Sequence, residues 1–170
     1  MKFPSPHFNI ILLLLALVAG CATTDDPKKK LTTIRFHTEA DPVGGGFTLT
    51  APIYRAHPIN VNVERTPFTD ERDVDSAVVA DWMDGFAIQI HLNRHGQWLL
   101  ENVTRSNPNH RIAVACQFDN ETRWLAAPII ARPITDGTLA FTPDATHEEA
   151  ERIVRGLNNV AADIKKKSKY

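Results

Sequence analysis

The chain has 170 residues, and its 19 Lys and Arg against 20 Asp and Glu give a formal net charge of −1 with neutral histidines. This balance excludes the global basic signature that is typical of nucleic-acid-binding proteins. About 140 residues follow the first 30, which is enough for one domain with its own core.

The N-terminal segment has the three parts of a secretory signal. Lys2 and the terminal amine are basic, residues 8–19 are apolar apart from one asparagine, and small residues follow. The apolar run is too short to span a bilayer of roughly 30 Å, which takes about 20 apolar residues. The sequence Val18-Ala19-Gly20-Cys21 resembles the lipobox of bacterial lipoproteins. The resemblance implies that residues 1–20 are a signal peptide, cleaved between Gly20 and Cys21, and that the Cys21 thiol receives a diacylglyceryl group.

The residues after Cys21 predict how the domain is held. Residues 21–30 are polar and contain a proline and three lysines, so we expect a disordered tether. Lys28, Lys29 and Lys30 are available to lie against anionic lipid, although a solvated linker is the favoured interpretation. Ala22 stands where inner-membrane retention signals have Asp. This favours the outer membrane, on its periplasmic side, if the bacterium has two membranes.

Alternating or apolar runs predict eight strands. They lie at 31–39, 47–50, 59–64, 77–82, 86–92, 111–118, 123–130 and 138–141. We expect a tight turn at Met83-Asp84-Gly85, because glycine accepts a positive φ without cost. Pro128 and Pro133 each lack a backbone donor, so the strand at 123–130 is predicted to lie at a sheet edge or to be bulged.

Three helical segments are predicted. Thr69 is expected to cap a short helical turn, since acidic residues follow it at the positive end of the peptide dipoles. A longer helix is predicted over 94–106 with Asn93 as its cap, and Trp98 is expected to belong to the core. Its core-facing side would be formed by Trp98, Leu99, Asn102 and Val103.

The last helix begins with a capping box at Thr146-His147-Glu148-Glu149. Its apolar residues recur at helical spacing: Ala150, Ile153, Val154, Leu157, Val160, Ala161 and Ile164. The order of strands and helices leaves no room for repeated crossover units. It predicts an α+β fold with a mainly antiparallel sheet and two principal helices packed on one face. A basic tail at 165–170 completes the chain.

An ordered series of features between about residues 70 and 159 resembles the first periplasmic head domain of SecD, the accessory subunit of the bacterial protein-export channel. The series ends with Thr146 and Glu148-Glu149-Ala150. Its earlier members are the capped turn after Thr69, the strand 87–92, Gly96 in the following helix, Thr104, the strand 111–114, 127–130, 132–134 and Gly137. We therefore expect a head-like domain at 69–164 and an added β extension at 31–68.

The resemblance implies contact with unfolded or secreted chains, but it does not imply a motor. SecD works through transmembrane helices with ionisable residues, and no such helix is predicted after the signal. The base domain that flanks the SecD head is also missing from the pattern. What remains is a domain that can bind or brace.

The sequence predicts no enzyme, no cofactor and no metal site. His91 and His95 are four residues apart but lie across a strand-to-helix junction, and the other histidines have no ligand spacing. Asp73 and Asp75 match only the first spacing of a calcium loop. Cys116 lies in an apolar run and, with Cys21 acylated, has no partner, so we expect a buried free thiol.

The leading hypothesis is a non-enzymatic, lipid-anchored envelope protein that binds a protein or peptide. Its expected partner-binding edge includes Arg123, Trp124 and Arg132, because Trp and Arg are common at binding hot spots; a core role for Trp124 is the competing interpretation. The alternative is a structural or assembly lipoprotein of a larger envelope complex. A third hypothesis is a small-molecule-binding or hydrolytic domain, which would require His37, His57, His91 and acidic residues to converge.

Overall fold

The structure is a computed structural model, and it describes residues 30–41, 47–54 and 57–168. The predictions for the signal peptide, for Gly20 and Cys21, and for tether residues up to 29 concern residues outside these ranges. Nine strands, two α-helices and one 3₁₀ turn follow one another in the described part of the chain. They are β1 (Thr33–Thr38), β2 (Thr48–Ile53), β3 (Ile59–Glu64), β4 (Thr69–Asp70), the 3₁₀ turn Glu71–Asp73, β5 (Val74–Trp82), β6 (Gly85–Leu92), α1 (Arg94–Ser106), β7 (Ile112–Phe118), β8 (Glu121–Ala126), β9 (Thr138–Phe141) and α2 (His147–Lys167).

The predicted α+β class is confirmed, and the strands divide into two sheets and a hairpin rather than one sheet. A four-stranded sheet has the order β4-β1-β7-β8, a three-stranded sheet has the order β5-β6-β9, and β2 pairs with β3. All named pairings are antiparallel. One core cluster joins both larger sheets to both helices through residues such as Ile90, Val114, Leu100 and Leu157.

Residues 31–68, set apart above as a β extension, contribute a central strand. β1 lies between β4 and β7, and it pairs with β7 over the whole of Thr33–Thr38. Ile34 and Phe36 on β1 are fully buried in the main core. The hairpin β2–β3 packs separately against Ala113, Ala127 and Trp124. β1 therefore shares the main core of residues 69–164, whereas β2 and β3 belong to the second cluster.

The Asp84-Gly85 turn forms one residue earlier than predicted. Trp82 pairs with Gly85, so the two-residue loop consists of Met83 and Asp84. Met83 has the left-handed φ of 49°, whereas Gly85 is the first residue of β6. The expectation that glycine supplies the positive φ was wrong, because the strand pairing extends as far as Gly85 itself.

Asn93 caps α1 as predicted, with its side chain accepting from the Gly96 amide. The predicted core face was wrong. Gly96, Leu100 and Thr104 are the buried residues of α1, and Trp98 is 61% exposed. The absence of a side chain at Gly96 lets α1 lie close to Asp73. A Cβ added at Gly96 would come within 2.8 Å of the Asp73 Cβ. The Thr104 hydroxyl donates to the Leu100 carbonyl and accepts from the Ile134 amide, so a polar residue also fits this face.

The capping box of α2 is confirmed in both directions. The Glu149 amide donates to the Thr146 hydroxyl at 3.2 Å, and the Thr146 amide donates to the Glu149 carboxylate at 2.8 Å. The helix continues through Lys167, into the stretch predicted as a basic tail. Lys165 there contacts the Asp75 carboxylate at 2.7 Å, which attaches the end of α2 to β5.

The short helical turn near Thr69 has a different cap from the one predicted. Asp70 is the cap residue, and its carboxylate accepts from the Arg72 amide at 2.9 Å. Thr69 lies in β4, and its hydroxyl donates to the Asp73 carboxylate at 2.7 Å. Strand pairing with Phe36 holds the Thr69 backbone one residue before the turn begins.

Candidate functional site

One cleft among the described residues lies between two strand edges. One side is the outer edge of β9, and the other is the stretch 126–129, which continues the line of β8. Trp82 lies at the cleft from the end of β5, and Phe141 lines it from β9. The cleft has a volume of about 380 Å³. We call it the edge groove.

Alternate backbone groups of β9 point into the edge groove. The Leu92 amide donates to the Gly137 carbonyl at 2.9 Å, which makes these two residues a hydrogen-bonded pair. Such pairs alternate with non-hydrogen-bonded pairs along an antiparallel ladder. Leu139 and Phe141 therefore bond to β6, and the N–H and C=O of Ala140 point away from it. Ala140 is exposed and lines the groove.

The facing edge has the same property at Ile129. The Pro128 carbonyl accepts from the Ile112 amide at 3.0 Å, and the Ile130 amide donates to the His110 carbonyl at 2.8 Å. By the same alternation the backbone groups of Ile129 point away from β7. The Ile129 side chain is 54% exposed. The groove thus has an unpaired backbone edge on each side.

The two prolines predicted this edge correctly. β8 is the last strand of its sheet, and its pairing shifts between Val114 and Ala115, so that Leu125 is an extra residue. Pro128 has no amide to donate and sits where only its carbonyl bonds to β7. The predicted edge position is therefore confirmed, whereas the bulge lies at Leu125 and both prolines follow the end of β8.

The three residues predicted for a partner-binding edge have different positions. Arg123 donates to the Glu149 carboxylate at 2.8 Å, and its guanidinium lies 5.0 Å from the Phe118 ring centroid. This contact lowers the pKa of Glu149 and raises the pKa of Arg123. Near Arg123, the Asp144 amide donates to the Leu125 carbonyl at 2.7 Å. This carbonyl of β8 is therefore already paired and not open to a partner. Arg123 thus has an internal role.

Trp124 and Arg132 lie outside the edge groove. The Trp124 ring packs edge-on against His37 with centroids 5.2 Å apart, and it covers the β2–β3 cluster. Arg132 is exposed on the loop after Ile130, where it borders a second, more polar cleft. Sequence reasoning missed Trp82 and Phe141 as groove residues. The only local signal was a tryptophan directly before a tight turn.

One side chain partly satisfies the groove's own backbone. The Arg111 guanidinium donates to the Ala127 carbonyl at 2.8 Å, and its amide donates to the Glu39 carboxylate at 2.7 Å. Arg111 thereby occupies one carbonyl of the edge and adds a positive charge to the groove lining. The groove combines apolar walls, one cation and two free backbone edges. This combination can accept an extended polypeptide.

The histidines named in the hydrolytic hypothesis bond to separate neighbours. His37 lies in the four-stranded sheet and bonds the Glu64 carbonyl at 2.8 Å, whereas His91 lies in the three-stranded sheet and bonds the Thr138 hydroxyl at 3.1 Å. His57 is exposed before β3. Within residues 30–41, 47–54 and 57–168, no three His, Cys, Asp or Glu side chains are grouped as metal ligands.

Stability should fall as the pH drops through the normal pKa of histidine, because of His37. Burial lowers the pKa of His37 below 6.5, against the opposing effect of its bond to Glu64. The unfolded chain therefore takes up more protons than the folded chain below pH 6.5, and protonation favours unfolding. Denaturant titrations at a series of pH values measure this. The variant His37→Gln should show a flatter pH profile between pH 6.5 and the folded pKa; an unchanged profile would contradict the assignment.

Cys116 is a buried free thiol, as predicted. Burial raises its pKa to about 12, so it packs as a small apolar group. No helix in the described part of the chain is long and apolar enough to cross a membrane.

Comparison with solved structures identifies the fold. A structure of SecDF, a membrane component that enhances protein export, superposes with a TM-score of 0.56 at 18% identity, covering 94% of this chain and 71% of that one. The fold resembles the SecD head. SecDF in a super-membrane-facing form gives a TM-score of 0.54 at 19% identity, covering 92% of this chain and 21% of the other. The sequence matches no protein-family model and no curated protein.

The likeness to SecDF shows the fold alone, since the identities are below a fifth of the aligned residues. The extent of the structural likeness is informative. It covers more of the chain than residues 70–159, on which the sequence resemblance was based. This agrees with the central place of β1 in the four-stranded sheet.

Proposed function

We propose that this protein is a non-enzymatic, lipid-anchored accessory protein of the bacterial envelope that binds extended segments of other polypeptides. The edge groove is the observation that carries the proposal, since Ile129 and Ala140 present unpaired backbone on its two sides. The likeness to SecDF, which enhances protein export, supports secreted or envelope chains as the ligands.

The ligand binds by strand addition, in which an extended segment pairs with an exposed strand edge. An extended segment in the groove lies between two edges, and neighbouring strands need a spacing of about 4.7–4.9 Å. Main-chain hydrogen bonds to Ala140 and Ile129 then supply affinity for many sequences. Trp82, which is 49% exposed, supplies a preference for apolar side chains at alternate positions of the ligand, because successive side chains of a strand point to opposite faces.

The anchor is the second part of the proposal. Acylation of Cys21 keeps the domain at the membrane, on the periplasmic side and at the outer membrane where there are two. Intact mass measurement of the mature chain should show an N-terminal Cys21 with its lipid, and Cys21→Ser should release the protein from membranes. Recovery of an unmodified chain that begins at Met1 would contradict the anchor.

Ala140→Pro tests the groove. Proline removes the outward amide of Ala140 while leaving the bonds of β9 to β6 intact, so folding should be retained. Loss of one net hydrogen bond, together with the ring's bulk, should weaken peptide binding by about threefold to tenfold. The measurement is fluorescence anisotropy of labelled peptides with alternating apolar residues, using the lipidated chain in vesicles.

Ala140→Ser is the matched control, because it changes the same residue and keeps the amide. Its affinity should equal that of the wild type, and thermal unfolding should show that both variants are folded. Equal peptide affinity for Ala140→Pro and the wild type would reject the groove as the binding site.

The assembly alternative rests on a different observation. Trp98 is 61% exposed on α1, and tryptophan is enriched at binding hot spots. An assembly role predicts a stoichiometric complex that Trp98→Ala disrupts and Ala140→Pro does not.

A further inference from the structure

The chain enters the domain at a surface that is positively charged and partly apolar. Lys30 precedes β1, and the amide of Asn159 on α2 donates to the Lys30 carbonyl at 3.2 Å. Next to this point lies a notch of about 100 Å³, lined by Leu31, Phe118, Arg152 and Arg155 among others. We call these residues and Lys30 the entry surface.

The charges of the entry surface leave a net positive balance. Lys30 contacts the Asp119 carboxylate at 3.0 Å, and Arg152 contacts the same carboxylate at 3.6 Å. Asp119 therefore serves two cations, and the pKa of its carboxyl is lowered by Lys30 first and by Arg152 as well. Arg155 adds a third cation to the lining of the notch.

The apolar part of the surface is also exposed. The Leu31 side chain is 58% accessible, directly beside Lys30. Gly156 lets Thr32, the residue directly before β1, lie against α2, because glycine has no Cβ to occupy that space. The result is an apolar residue and three cations grouped where the tether ends and the domain begins. This grouping suits the interface of a bilayer, where apolar side chains and cations are both accommodated.

The tether is long enough for the entry surface to reach the membrane. Eight residues lie between Cys21 and Lys30, and a fully extended chain spans at most about 3.3–3.6 Å per residue, or about 30 Å from Cys21 to Lys30. That length is comparable with the diameter of a small domain. The hydrogen bond between Asn159 and Lys30 holds the first described residue on α2, so the tether joins the domain at the entry surface.

We infer that the entry surface docks the folded domain on anionic phospholipid headgroups, with a headgroup phosphate between Arg152, Arg155 and Lys30. This inference rests on the lipid anchor of the proposed function and adds an orientation to it. The cations attract the anionic surface within a Debye length of about 8–10 Å, and a tether of at most about 30 Å lets the entry surface come that close. The domain is then held against the bilayer instead of moving freely on its tether.

The test uses the full lipidated chain in vesicles. Glu151→Cys places a dye on the exposed side of α2 next to Arg152, and buried Cys116 does not compete for labelling. Energy transfer to a headgroup acceptor should be higher in vesicles that contain phosphatidylglycerol than in phosphatidylcholine alone. High salt, and the pair Arg152→Glu with Arg155→Glu, should reduce transfer to the value in phosphatidylcholine.

Arg94→Glu with Arg132→Glu is the matched control, because it makes the same charge change at exposed residues elsewhere. It should leave the transfer unchanged. Equal transfer in both kinds of vesicle, for a protein that floats with them, would overturn docking and leave the anchor standing. Protein that does not float with vesicles would overturn both. Equal loss of transfer in the control pair would show only a net-charge effect, and it too would overturn the assigned surface.

Discussion

Replacing Phe36 with alanine should lower the free energy of unfolding by about 3–5 kcal/mol, as is typical for large-to-small changes in a core. Phe36 is fully buried on β1, in the middle of the four-stranded sheet, and its ring lies 6.3 Å from that of Phe68. The removed ring would leave a cavity between β1 and the rest of the core, because neighbouring side chains relax only partly. Denaturant unfolding followed by circular dichroism measures the loss.

Phe47→Ala is the control for this change. The Phe47 side chain is 79% exposed, so the same substitution should shift stability by less than about 0.5 kcal/mol. Hydrogen exchange gives the decisive reading. If Phe36→Ala loosens only residues 31–68 while β5, β6 and β9 keep their protection, the N-terminal strands are a separate unit and the shared core is disproved.

Gly156→Ala should destabilise the protein, in contrast to the usual effect of this substitution in a helix. Alanine normally gains about 1 kcal/mol over glycine in a helix interior. Here a Cβ at residue 156 would lie 2.8 Å from the Thr32 Cβ and 3.0 Å from the Thr32 amide nitrogen. The backbone atom cannot move aside cheaply, so overpacking of about 1–3 kcal/mol should exceed the helix gain.

Two comparisons test the assigned cause. Gly85→Ala adds the same methyl group where the nearest atom is 4.0 Å away, and it should be nearly neutral. Thr32→Gly removes the crowded side chain, so the double variant should be more stable than the sum of the two single effects. Strict additivity, or a more stable Gly156→Ala protein, would show that α2 and Thr32 are not in close contact.

Local signals in the sequence predicted the helix starts well. Asn93 and the Thr146–Glu149 box act through hydrogen bonds to amides within three residues, so the sequence alone contains the whole interaction. The edge position near Pro128 was predictable for the same reason, since proline cannot donate to a ladder. The α+β class followed from the order of these elements.

Non-local packing accounts for the errors. The buried face of α1 is set by Gly96 against Asp73 and by Thr104 against Ile134, and neither contact is visible in hydrophobic periodicity. Trp98 was assigned to the core on its hydrophobicity, but it lies two residues after the buried Gly96 and therefore on the nearly opposite, exposed side of the helix.

The candidate site was predictable only on one side. The sequence indicated an edge at residues 123–134, but the other side of the groove depends on β9 being the last strand of a different sheet. Such pairing joins residues far apart in the chain, as with Ile88 and Phe141. Arg123 is of a residue type common at binding hot spots. It instead pairs at 2.8 Å with Glu149, a residue of the capping box of α2.

Amide hydrogen exchange at Ile129 and Ala140 tests the central claim most directly. Both amides point away from their sheets and should exchange rapidly in the free protein, whereas Leu139 should be protected by its pairing with Ile90. Adding an extended peptide with alternating apolar residues should slow exchange at Ile129 and Ala140 together, and should quench or shift the fluorescence of Trp82. Saturating peptide that leaves both amides in rapid exchange would contradict strand addition in the edge groove.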